Sequence, residues 1–202
     1  MKRMCGIAFA LLVVAFTFVG CGTFLPQEGW EMLIDGDKGL ENFNRIGDAN
    51  WHAEGGAIVA DKGKGGFLVS KKPYKDFELY AEFYVESSTN SGIFIRCTDP
   101  NKIAGANSYE VNIWDTRPEP KYGTGAIVNL AQVDPMPKAG GKWNVYEIYA
   151  RGSQMTVKLN GVVTASVQDS QHPAGPFALQ FGSTGNAPQG PVKWRKVVIK
   201  PL

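Results

Sequence analysis

Two short runs carry the side chains best suited to chemistry: Asn90-Ser91-Gly92-Ile93-Phe94-Ile95-Arg96 and Tyr109-Glu110-Val111-Asn112-Ile113-Trp114-Asp115. In an extended strand, residues two apart share a face. Phe94 and Arg96 are therefore expected to project together, as are Glu110, Asn112 and Trp114. If the two strands are neighbours, Arg96 and Glu110 flank an aromatic floor. A guanidinium, a carboxylate, an amide and an indole on one sheet face suit sugar recognition, with polar groups bonding hydroxyls and rings stacking on C–H faces. The same residues also fit a cross-strand ion pair on a solvated face, which would contribute under about 1 kcal/mol. Trp114 by itself reads more as packing than as a ligand contact, and Asn90 reads equally as a turn residue before Ser91-Gly92. Gln180, between Leu179 and Phe181, carries the same ambiguity.

Other chemistries find little support. The chain has no Gly-rich phosphate loop followed by a helix, no Cys pair and no His-x-x-x-His. His52 and His172 are the only histidines and lie far apart. No Ser sits in a Gly-x-Ser-x-Gly context, so a Ser-His-Asp triad has no motif behind it.

The elements that must position these residues read as strands. Phe77, Leu79, Ala81, Phe83 and Val85 alternate with Glu78, Tyr80, Glu82 and Tyr84, giving one apolar face and one polar, aromatic face. Gly92–Cys97, Tyr109–Trp114, Ala126–Leu130, Trp143–Ala150, Met155–Leu159, Val162–Val167, Phe177–Phe181 and Val192–Ile199 read likewise. Asn160-Gly161 predicts a tight hairpin, since both central residues tolerate positive φ. Gly55-Gly56 and Gly65-Gly66 mark further tight connections. No long stretch keeps a helical period, so the chain is expected to be all-β, a sandwich or barrel of about ten strands. Residues 29–202 read as one domain, with the Pro-rich stretches as loops.

The amino terminus reads as an address. Lys2 and Arg3 precede a run from Ile7 to Val19 that is apolar except for Thr17. That is short for a permanent membrane helix and has the layout of a secretory signal. It ends in Phe18-Val19-Gly20-Cys21, which resembles a bacterial lipobox. Residues 1–20 are then a signal peptide, Cys21 is the lipidated amino terminus, and 21–28 is a tether holding the domain at a membrane surface. Ordinary cleavage near Gly20 or Gly22 and an uncleaved anchor are the alternatives. Processing at Cys21 leaves Cys97 as the remaining free thiol, so no intramolecular disulfide is expected.

Charge is consistent with this placement. The 202 residues contain 21 Lys plus Arg and 19 Asp plus Glu. Removing Lys2 and Arg3 leaves 19 against 19, a neutral chain with no electrostatic reason to seek nucleic acid. At 44% hydrophobic, the composition is too apolar for a disordered protein.

At these residues the sequence resembles the bacterial 3-keto-disaccharide hydrolase domain family, whose members are also described as 3-keto-glucoside 1,2-lyases and 3-keto-2-hydroxy-glucal hydratases. The resemblance runs in order through Leu33-Ile34-Asp35-Gly36, Trp51 with Gly55-Gly56, and Asp76-Phe77-Glu78-Leu79. It continues through Asn90–Arg96, Tyr109-Glu110-Val111, Thr124-Gly125-Ala126-Ile127 and Trp143-Asn144. Val157 to Gly161, Gly175-Pro176 through Leu179-Gln180 and the closing Ile199-Lys200-Pro201-Leu202 complete it. Trp114 stands where relatives often carry an acidic or small residue. The resemblance implies a concanavalin-like jelly-roll β-sandwich of two antiparallel sheets, with ligand held across the concave one.

It also implies a chemistry. A ketone at C3 of a glucose unit acidifies the C2 hydrogen, so a base can remove it and the C1 substituent can leave; adding water gives net hydrolysis. On this reading Glu110 is the general base or a metal ligand, and Arg96 stabilises the enolate. Asp115 is a second acid/base or ligand, while Asn90, Asn112, Trp114 and Gln180 hold substrate. A divalent cation could serve as Lewis acid, with Glu110 and Asp115 as candidate ligands. A sugar dehydrogenase must make the ketone first, and Gly22 after Cys21 fits the outer membrane if the host is Gram-negative. A non-catalytic carbohydrate-binding module and a surface scaffold are the competing classes.

Overall fold

The computed structural model describes residues 28–185 and 187–202. The signal segment, Cys21 and all of the tether before Glu28 lie outside the described residues. Two antiparallel sheets face each other. The larger runs in the order β11 (Val162–Gln168), β10 (Gln154–Leu159), β9 (Lys142–Arg151), β6 (Phe77–Val85), β13 (Val192–Pro201), β4 (Ala57–Ala60) and β3 (Trp51–Glu54). Its eighth strand, β1 (Glu31–Asp35), also pairs with β13. The smaller sheet has five strands: β2 (Phe43–Gly47), β5 (Gly66–Ser70), β12 (Ala178–Phe181), β7 (Ser91–Ile95) and β8 (Tyr109–Ile113). This is the expected jelly-roll sandwich.

Alternation builds the core. Leu79, Ala81 and Phe83 of β6 and Tyr146 and Ile148 of β9 meet Leu68, Ile93, Val111, Leu179 and Phe181 of the five-stranded sheet in one buried cluster. Each large side chain so buried stabilises the fold by about 1.5–3 kcal/mol. Phe83 and Tyr146 stack with ring centroids 5.0 Å apart. The Tyr146 hydroxyl donates across the core to the carbonyl of Asn112 at 2.6 Å, fixing β8 from inside. Asn160 and Gly161 form the expected tight turn, with φ of 52° and 81°.

One expected strand is not formed. At Ala126–Leu130 the chain folds back on itself: the amides of Leu130 and Ala131 both donate to the carbonyl of Ile127, and Asn129 has a positive φ of 63°. Isolated bridges link Ile127 to Val111 and to Ala131. Apolar alternation was present, but the reversal at Asn129 leaves too few residues to form a ladder.

Arg96 departs further from expectation. Its φ is 54°, so the chain leaves the strand geometry of β7 there and the alternation that paired Arg96 with Phe94 ends. The side chain is fully buried. Its Nε donates to the carbonyl of Lys75 at 2.8 Å, Nη1 to the carbonyl of Gly152 at 2.7 Å, and Nη2 to Asp76 Oδ1 at 3.2 Å. Those partners flank β6 and β9, so the guanidinium ties the end of the smaller sheet to the larger one. It does not join Glu110 on a sheet face. Burial lowers its pKa, and the Asp76 carboxylate opposes that shift. Arg96→Met should strand these acceptors and lower unfolding free energy by about 3–5 kcal/mol in urea titration.

Candidate functional site

Register across the smaller sheet determines which side chains share its outward face. Leu68, Leu179, Ile93 and Val111 point into the core, so their neighbours along each strand point away from it. Phe67 pairs with Gln180, Gln180 with Gly92, and Gly92 with Asn112. The adjacent outward row is Val69, Ala178, Phe94 and Glu110. Phe67 and Phe94 meet edge to face with centroids 5.3 Å apart, forming a small apolar patch that is buried at Val69, Phe94, Ala178 and Cys97 and flanked by the partly buried Phe67 and Ile103.

Beside that patch is a notch. Gly92 contributes no side chain between Gln180 and Asn112, whose strands lie roughly 10 Å apart. A Cβ at Gly92 would sit 3.0 Å from the carbonyl oxygen of Val111 and 3.6 Å from Glu110 Oε1, so the carboxyl of Glu110 lies over this gap. Gln180 Oε1 and Asn112 Oδ1 are both buried without a hydrogen-bond partner. An orphaned buried acceptor is costly, and two flanking one notch mark a place where donor groups from outside can bind. Asn112 is held in place through its Nδ2, which donates to the carbonyl of Tyr122.

The environment of the Glu110 carboxyl favours its neutral form. Removal from water pushes its pKa up from 4.5 to about 7. It also lines a cavity of about 130 Å³, together with Ser108, Val128, Asn129, Gln171 and His172. The amide of Val128 donates to the Glu110 carbonyl at 2.9 Å, bringing the folded-back segment against the strand. Burial also lowers the pKa of His172, favouring the neutral imidazole. A carboxyl half-ionised near neutrality can both take and return a proton.

The remaining expected residues divide between the face and its supports. Asp115 is buried, and its carboxylate accepts from Thr124 Oγ1 at 2.7 Å and from the amides of Ala139 and Gly140 at 2.9 and 2.8 Å. These bonds anchor the loops beyond β8 and leave the carboxylate fully engaged. Asn90 donates from Nδ2 to the Ser183 carbonyl at 2.8 Å, clamping the loop after β12. Trp114 follows β8 directly, and its Nε1 donates to Thr116 Oγ1 at 3.1 Å. The Arg117 guanidinium lies 4.7 Å from the Trp114 ring centroid and 5.0 Å from that of Tyr122. Tyr109 faces opposite to Glu110, with its hydroxyl donating to Asp169 at 2.5 Å.

The structure thus brings Glu110, Asn112 and Gln180 together around Gly92 and keeps Arg96 and Asp115 as supports. Sequence reasoning missed His172, which reaches the cavity from the segment between β11 and β12; no spacing signalled it. The role of Gly92 had a signal, because a glycine inside a strand marks close approach of another group. One carboxylate and two amide oxygens are hard donors that could contribute to holding a divalent cation, with water or substrate completing its shell. Among the described residues no three His, Cys, Asp or Glu side chains converge on a metal-sized site.

The raised pKa of Glu110 has a consequence for stability. Below about 4.5 the carboxyl is protonated in both folded and unfolded chains. Between there and about 7 only the unfolded chain releases the proton, so stability falls as pH rises through this window. Relative to Glu110→Gln, wild-type protein should lose on the order of 2 kcal/mol between pH 5 and pH 8. Urea titrations of both proteins across that range measure it.

Comparison with known proteins supports a carbohydrate-related function. A protein of Parabacteroides distasonis described as a glycosyl hydrolase is 25% identical, with a TM-score of 0.68 over 86% of this chain and 99% of that one. A second Parabacteroides distasonis protein with the same description is 18% identical, covering 86% and 88% of the two chains at a TM-score of 0.65. The carbohydrate-binding module CBM66 from Bacillus subtilis is 16% identical, covering 85% and 95% at 0.55. The last two likenesses concern the fold alone. No curated protein matches the sequence. The model of the 3-keto-alpha-glucoside-1,2-lyase-like domain matches residues 29–200, nearly the whole described sandwich, and the chain belongs to that family.

Proposed function

We propose that the protein cleaves 3-keto-glucosides by removing the C2 proton, expelling the C1 substituent and adding water back, with Glu110 as the general base. The observation that carries this reading is a carboxyl with its pKa raised to about 7, placed over a notch flanked by two orphaned amide oxygens. In the first step the C2–H bond breaks, the proton passes to Glu110, and the electron pair delocalises into the C3 ketone as an enolate. In the second the enolate collapses, C1=C2 forms and the C1–O bond breaks, giving the 2-hydroxy-glycal; the departing oxygen takes a proton. Addition of water across C1=C2 then yields the 3-keto sugar.

The surrounding groups suit these steps. Gln180 Oε1 and Asn112 Oδ1 are acceptors for sugar hydroxyls, and the Gln180 NH₂ can donate to the enolate oxygen. Arg96 has no part, since its guanidinium is engaged at the sandwich end. The half-buried rings of Phe67 and Trp114 offer apolar surface for sugar C–H groups. In keeping with the lipobox-like start, we place the domain outside the cytoplasm, anchored through Cys21, where a sugar dehydrogenase supplies the ketone.

Two measurements test the reading. Glu110→Gln should lower kcat about 10²–10⁴-fold on a chromogenic 3-keto-glucoside, whereas the unoxidised glucoside should be untouched by either protein. The wild-type kcat/KM should rise with pH through about 7 as Glu110 ionises, and that limb should vanish in the variant. In D₂O, NMR should show deuterium at C2 of the product. A carbohydrate-binding module would bind glycans and turn over neither substrate.

A further inference from the structure

A larger cavity lies away from Glu110. It measures about 510 Å³ and lies on the outward face of the eight-stranded sheet, on the opposite side of the sandwich. Trp30, Glu78, Tyr80, Glu147, Tyr149, Thr156 and Lys158 line it. That volume falls within the range of ligand sites, whereas the cavity at Glu110 is far below it.

Register explains how this surface is made. Leu79, Ile148 and Val157 face the core, so the residues on either side of them face out. One outward row runs Thr156, Tyr149, Glu78 and Lys200; the next runs Lys158, Glu147 and Tyr80. Aromatic and acidic side chains therefore alternate in both directions, placing Tyr149 diagonal to Tyr80 and Glu78 diagonal to Glu147. The Tyr80 hydroxyl donates to Glu82 at 2.9 Å, which fixes its ring. Trp30, just before β1, adds an indole wall. Rings set between hydroxyl-bonding carboxylates and a lysine are suited to pyranose C–H faces and their equatorial hydroxyls.

Charge narrows the class of ligand. Glu78 and Glu147 are offset by Lys158 in the cavity and by Lys200 across from Glu78, leaving no net field to attract a polyanion or a polycation. We infer that this face is a second, non-catalytic binding site for a neutral oligosaccharide, separate from the Glu110 notch and able to hold a glycan while the other face is occupied.

Isothermal titration of the full chain with maltohexaose, cellohexaose and laminarihexaose tests this. At least one should bind, and Trp30→Ala/Tyr149→Ala should weaken it at least tenfold, while Glu110→Gln binds as wild type does. Trp30→Phe/Tyr149→Phe should restore most of the affinity by keeping the rings. Should the alanine variant fold poorly, amide shifts on β6, β9 and β10 of the wild-type protein on adding the sugar give the same answer. Absence of binding to all three sugars, equal binding by a folded alanine variant, or loss of binding in Glu110→Gln would each overturn the inference. Failure to turn over a 3-keto-glucoside would sink the proposed reaction and leave this site standing.

Discussion

A sheet that packs hydrocarbon on one side can do chemistry only on the other, and the register of its strands decides what meets there. In the smaller sheet, burial of Leu68, Leu179, Ile93 and Val111 commits every neighbouring residue to the outward face. Hydrogen-bonded pairing then places Gln180, Gly92 and Asn112 in one row and Ala178, Phe94 and Glu110 in the next. A slip of one residue in β8 would put Glu110 into the core and Val111 on the outward face. The notch thus rests on the same contacts that stabilise the fold, including the bond from Tyr146 to the back of Asn112.

Polar groups in this protein fall into two kinds, and the distinction is one of saturation. Arg96 and Asp115 are buried and fully partnered, and breaking either would leave charge without compensation. Asn90 likewise engages its amide with a loop carbonyl. Gln180 Oε1, Asn112 Oδ1 and the Glu110 carboxyl are withdrawn from water without equivalent partners. Saturated groups hold geometry, whereas unsaturated ones retain capacity for a ligand. The family to which the chain belongs makes a carbohydrate the natural candidate for that capacity.

The outward face of the larger sheet extends the same logic. Its alternating Tyr and Glu residues were visible in β6 as a polar aromatic stripe, but one strand cannot make a cavity. Pairing β6 with β9, and β9 with β10, assembles the diagonal pattern, and the segment carrying Trp30 walls it. If both proposals hold, the chain would hold a polymer on one side while acting on a fragment at the other.

What the sequence determined by itself is local: which segments alternate, where Asn160-Gly161 must turn, and that Glu110 and Asn112 share one face of their strand. These properties follow from backbone stereochemistry and side-chain period, which need no distant partner. Tertiary structure decided the rest. Arg96 looked like a companion of Phe94 because alternation was extended one residue past β7, and only its positive φ and its partners from the opposite sheet remove it. Asp115 looked available because nothing local shows the amides of Ala139 and Gly140 closing on it. His172 reaches the cavity from a segment far along the chain, and the pKa of Glu110 depends on how much water that packing excludes. Burial and charge environment are sums over distant neighbours, and a linear sequence does not carry those sums.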